Sequence, residues 1–171
     1  MSILQTLAEA LAPWQHAFAA SKTLSIGVVF AHLGSLLFGG GFAVAADRAT
    51  LRAFRATADE QRRVLDELEA VHRPVLIALA CSFISGVMLV TSEIETFWSS
   101  PIYWVKMALI ALLLVNGAVL RRSERAARLA ADSNDSTRSA QLWSRLRFTS
   151  WASALLWLSV VLAGTVLVSA A

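Results

Sequence analysis

Residues 23–46 run TLSIGVVFAHLGSLLFGGGFAVAA, a stretch in which His32 is the one ionisable side chain. A helix crosses the hydrocarbon of a bilayer in about 20 residues at about 1.5 Å per residue, so this stretch is long enough to span. An imidazole at such depth costs free energy unless it turns toward the protein interior and finds a partner. The run predicts a transmembrane helix and makes His32 the first candidate for a functional residue.

The rest of the chain repeats the pattern. Of 171 residues, 57% are hydrophobic, and the mean hydropathy of +0.61 lies beyond that of an ordinary soluble domain. Apolar residues gather in four blocks, at about 23–46, 74–91, 101–120 and 148–170, each near spanning length. The only charge inside them is Lys106. The prediction is an all-α integral membrane four-helix bundle, with one transmembrane domain over residues 21–171 and a short amphipathic segment at 1–20. The single cysteine, Cys81, excludes an internal disulfide and any zinc or iron–sulfur site built on several thiolates. No nucleophile–base pair, phosphate loop or carboxylate dyad is visible, which leaves hydrolase and kinase chemistry without support.

The arginines fall in two segments, 48–73 and 121–147, while the connection at 92–100 has no basic residue. By the positive-inside rule both arginine-rich segments are cytoplasmic and both termini lie outside. Nucleic-acid binding is not expected, because Asp47, Asp59, Glu60, Asp66, Glu67 and Glu69 cancel the charge of the first segment.

Within residues 1–20, Ile3, Leu7, Leu11, Trp14 and Phe18 recur at helical spacing around Pro13, which suggests one or two helices lying on the outer surface. His16 there is an interfacial polar residue, with metal binding as the alternative. Gly27, Gly34 and Gly41 recur every seventh residue on one face, where a neighbouring helix could approach closely, within the chain or in a homodimer. Thr57 and Glu60 match a capping box, followed by the apolar stripe Val64, Leu65, Leu68 and Val71. That helix should reach His72, at the membrane boundary, and kink or restart at Pro74. Tyr103 and Trp104 suit an outer aromatic belt, and Trp143 and Trp151 an inner one.

Depth decides which polar residues can meet. From the outer surface His32 lies about 13 Å down the first span and Lys106 about 7 Å down the third. Gly86 and Met88 on the second span, and Gly164 and Thr165 on the fourth, fall near the level of His32. His72 lies about 20 Å from that level, so the two histidines cannot both be axial ligands of one cofactor. Lys106 either snorkels outward to Glu93 or Glu95, or faces the bundle and pairs with an anionic ligand group such as a propionate. His32 either bonds a carbonyl or serine of a neighbouring helix, or serves as a ligand or proton-handling residue. Met88 is the candidate for a second axial ligand.

The first-span histidine in VVFAHLGSLLFGGGF, the proline and small residues of HRPVLIALACSFISGVML, and the lysine of SPIYWVKMALI together resemble a broad group of small bacterial membrane proteins. The group includes HemJ-type membrane protoporphyrinogen oxidases and the transmembrane part of copper-resistance CopD proteins, and the likeness covers about residues 22–122. The resemblance implies a bacterial inner-membrane bundle that binds haem b through His32, with Lys106 as a charged pocket residue, or that handles copper or a porphyrin. The expectation is a redox or electron-transfer protein with a membrane or periplasmic partner. Copper or small-solute transport along His32 and Met88, and a non-catalytic assembly subunit, are the alternatives.

Overall fold

Three of the four long helices begin at a residue suited to a helix start. The Ser21 hydroxyl accepts from the Leu24 amide at 3.3 Å. Thr57 and Glu60 form the expected capping box, and Pro101 occupies the first turn, where its missing N–H costs nothing. The computed structural model describes residues 3–133 and 136–170. They form α1 (Ile3–Ala20), α2 (Lys22–Ala53), α3 (Ala58–Ser92), α4 (Ile94–Ser99), α5 (Pro101–Asp132) and α6 (Ser136–Ala170). Helices α2, α3, α5 and α6 are each long and apolar enough to cross a membrane. The protein is an all-α, multi-pass membrane four-helix bundle.

Two hairpins, α2–α3 and α5–α6, lie side by side and meet along a seam between α2 and α6. Helices α3 and α5 touch less than the partners within each hairpin or across the α2–α6 seam, and the side-chain bridges between them cluster at the arginine-rich end. There Arg128 reaches Asp66 at 2.8 Å, Glu69 at 3.2 Å and the Leu65 carbonyl, and Arg62 donates to the Ala131 carbonyl at 2.7 Å. Helix α1 is continuous through Pro13 and docks on the opposite end of α3. Trp14 Nε1 donates to the Met88 carbonyl and Gln15 Nε2 to that of Thr91, both at 3.3 Å.

The bundle is built in two manners along its length. At the arginine-rich end Ala53, Leu65, Leu68, Ala127, Trp143 and Leu146 bury one another, with every long helix contributing. This is the core of a water-soluble bundle, in which arginine-bearing helices turn an apolar stripe inward. Farther along, large apolar residues point outward, with Leu37 79% and Phe30 76% exposed, while Ser82, Ser85, Ser150 and Ser153 are buried. Lipid is as apolar as leucine, so nothing drives large side chains inside there, and small or hydrogen-bonding residues make the contacts.

The helix expected from Thr57 to His72 is present, but it does not restart at Pro74, since α3 proceeds through it from Ala58 to Ser92, and two other expectations are corrected with it. Proline removes one hydrogen bond, but Leu65 and Leu68 on one side and Ala78 on the other are buried and hold the flanking turns. Within the chain no neighbouring helix approaches Gly27, Gly34 or Gly41. The close approaches use Gly39, where a β-carbon would come within 2.9 Å of Ala78 Cβ, and Gly40, where it would meet Trp157 at 3.2 Å. Trp143 belongs to the buried core rather than to an aromatic belt, whereas Trp151 is exposed as a belt residue should be.

These contacts separate two classes of glycine. Gly39→Val should destabilise the bundle by about 1–3 kcal/mol through overpacking against Ala78, while Gly34→Val should not. Unfolding of both variants in a detergent titration, followed by circular dichroism, checks the difference.

Candidate functional site

His32 is half-buried on α2 and turns toward α3. Its Nδ1 lies 3.0 Å from the Ser82 carbonyl and 3.2 Å from Ser85 Oγ. A carbonyl only accepts, so Nδ1 carries the proton and donates. The Ser85 hydroxyl proton goes to the Cys81 carbonyl at 2.7 Å, which leaves its oxygen free to accept from the ring as well. These bonds set the tautomer with Nε2 unprotonated, its lone pair directed away from Ser82 and Ser85. The ring edge rests on Gly86, where a β-carbon would come within 3.1 Å of Cε1.

Lys106, on α5, is half-buried and turned into the bundle rather than out to water. Its Nζ would sit 3.4 Å from a β-carbon at Gly164 on α6, and its charge acts on the His32 ring. Among the described residues no ion pair or hydrogen bond holds this ammonium, and both Glu93 and Glu95 are exposed. The fold thus brings His32, Gly86, Lys106 and Gly164 together across all four long helices. Met88 enters differently, through its carbonyl to Trp14, and the ring contacts on α3 are Ser82, Ser85 and Gly86. Thr165 is exposed, its hydroxyl bonded to the Val161 carbonyl within its own helix. His16 lines a shallow surface recess with Gln15, Phe18 and Glu93.

His72 does more than sit at a boundary. Its Nε2 lies 2.7 Å from Glu124 Oε2, bridging α3 and α5. Glu124 and Asp47 are buried, and neither stands out as a buried acid in the sequence. A signal exists in retrospect, because Asp47, Thr50 and Ala53, like Glu124, Ala127 and Ala130, recur at i, i+3 and i+6 on inward faces. Flanking arginines at 48, 121, 122 and 125 mask it. Among the described residues no three His, Cys, Asp or Glu side chains come together as a metal site. Set against protein-family models, curated proteins and solved structures, the chain matches none.

The two glycines of the site should respond unequally to a side chain. Gly86→Val presses on a ring fixed by hydrogen bonds and should cost about 1–3 kcal/mol. Gly164→Val meets only the mobile end of a lysine and should cost much less, as thermal unfolding of the two purified variants would show.

Proposed function

We propose that the chain is a multi-pass protein of the bacterial inner membrane that binds haem b in the arginine-poor half of its bundle and acts in electron transfer. The observation that carries this reading is the state of His32. Its Nδ1–H is committed to the Ser82 carbonyl and Ser85 hydroxyl, and Nε2 keeps its lone pair. Histidines that bind metals are commonly oriented in this way, by donating the other ring N–H to a carbonyl. The unpartnered Lys106 ammonium at the same site fits an anionic group such as a haem propionate, and Gly86 and Gly164 keep β-carbons away from both side chains. His32 would hold the iron, with Met88 the candidate for its second ligand.

Haem supplies a one-electron couple, whose potential depends on ligand identity, burial and nearby charge. The protein's own part is to hold the ring in one tautomer and to keep a cation beside the cofactor's anionic edge. In the reduced-minus-oxidised spectrum of detergent-purified protein, the wild type should show b-type bands that His32→Ala abolishes. Lys106→Met should retain haem and lower its midpoint potential, since removing a positive charge disfavours the reduced state. Wild-type protein that folds without a Soret band would overturn the reading.

The same hydrogen bonds favour a second reading, in which His32 ties α2 to α3 in a subunit without a cofactor. In that case His32→Ala would lose about 0.6–1.7 kcal/mol of stability, as measured for hydrogen bonds between membrane helices, and no spectrum would change.

The arginine-rich end should face the cytoplasm by the positive-inside rule, which places the haem half and any redox partner toward the outside. With Cys81→Ser as background, Ser99→Cys should react with an impermeant maleimide in intact cells, and Ser133→Cys only after the cells are opened.

A further inference from the structure

The arginine-rich end of the bundle buries two acids away from its arginines. Asp47 on α2 is 3% exposed, Glu124 on α5 is 5% and Ser150 on α6 is 0%. Each keeps a buried oxygen without a hydrogen-bond partner: Asp47 Oδ2, Glu124 Oε1 and Ser150 Oγ. The Ser150 and Ser153 hydroxyls face the Asp47 carboxyl group, and the charge that acts on it is that of Glu124, of the same sign. From α3, His72 Nε2 takes the other Glu124 oxygen at 2.7 Å. Among the described residues no arginine forms an ion pair with either acid. Arg48 is exposed, Arg128 reaches to Asp66 and Glu69, and Arg147 stacks over the Phe54 ring at 4.6 Å. Beside Ser150 and Ser153, α6 adds Thr149, whose hydroxyl bonds back to the Arg145 and Leu146 carbonyls.

Among the described residues neither buried acid has a lysine or arginine ion pair, His72 meets only Glu124, and a buried uncompensated carboxylate is costly. The free atoms are all oxygens, from two carboxyl groups and one hydroxyl. Such a donor set suits a small hard cation and not a soft metal. We propose that Asp47 Oδ2, Glu124 Oε1 and Ser150 Oγ form a site for one small hard cation, Na⁺ or a proton, at the junction of the two hairpins. Asp47 belongs to α2, Ser150 to α6 and Glu124 to α5, which His72 links to α3. A bound cation therefore ties all four long helices where the soluble-type core gives way to the membrane-spanning part. The site is independent of the haem reading and lies toward the other end of α2 from His32.

The test is thermal unfolding of the full-length protein in detergent, comparing wild type, Asp47→Asn, Glu124→Gln and Ser150→Ala. Tm is followed between about pH 5 and about pH 8 in NaCl or in choline chloride of equal ionic strength. If the occupant is Na⁺, wild-type Tm at the upper pH rises saturably with Na⁺ and not with choline. Ser150→Ala then shifts the midpoint of that rise to higher Na⁺, and Asp47→Asn removes the rise. If the occupant is a proton, the neutral carboxyl is the folded form, so Tm rises as pH falls, equally in both salts, and the slope disappears in Asp47→Asn. Infrared difference spectra of the wild type, across the same salt and pH steps, check the result without any variant. A protonated-carboxyl C=O band that Na⁺ or alkali removes is expected. A wild-type Tm and infrared spectrum indifferent to both, or a dependence that persists in both Asp47→Asn and Glu124→Gln, would overturn the proposal.

Discussion

Helix α2 must lie against two neighbours at once in a solvent that gives apolar helices no reason to associate. In water, burying leucines would hold it; in lipid, contact must come from close approach and from polar groups that have nowhere else to bond. Gly39 lets Ala78 of α3 come near, Gly40 accepts the flat face of Trp157 from α6, and His32 donates to the Ser82 carbonyl. These contacts lie on adjacent sides of one helix, about 100° apart for consecutive residues. They join the α2–α3 hairpin to α6, and the rest of the bundle follows from that junction.

The other end obeys the opposite rule. Where arginines line the helices, Trp143, Leu146, Leu65 and Leu68 are buried as in a soluble bundle, and salt bridges from Arg128 close the gap between α3 and α5. The change of regime falls near Asp47, His72 and Glu124. Polar groups there are neither in lipid, where they would be too costly, nor in water, where they would be satisfied for nothing. The bundle thus carries polar groups at two levels, a histidine and lysine in the arginine-poor half and an acid pair in the other.

Much of this was legible beforehand because hydropathy and length are one-dimensional properties. Four apolar runs predicted four spanning helices, and Thr57 with Glu60 announced the start of α3. Counting residues from the surface also placed Gly86 and Gly164 near His32, and the structure sets one against the ring and the other against Lys106. The glycine spacing misled about packing within the chain for a physical reason. A seven-residue repeat identifies a shared face but not what lies opposite, and lipid accepts a glycine as readily as a neighbouring helix does. Trp143 misled similarly, because an indole suits a membrane boundary and a packed interior equally well.

The amino-acid sequence alone determined that this is a membrane protein of four long helices, and that His32 and Lys106 are its exceptional residues within the apolar runs. Both conclusions rest on the cost of placing polar groups in hydrocarbon, which depends on residue type and position along a helix. Only the tertiary structure decided which way those residues turn. It showed that Lys106 faces Gly164 and not the exposed Glu93 or Glu95, that the His32 ring nitrogen bonds to α3, and that Asp47 and Glu124 are buried without an arginine ion pair among the described residues. Rotation of a helix about its axis is set by what its neighbours present, and that information is spread over segments far apart in the chain.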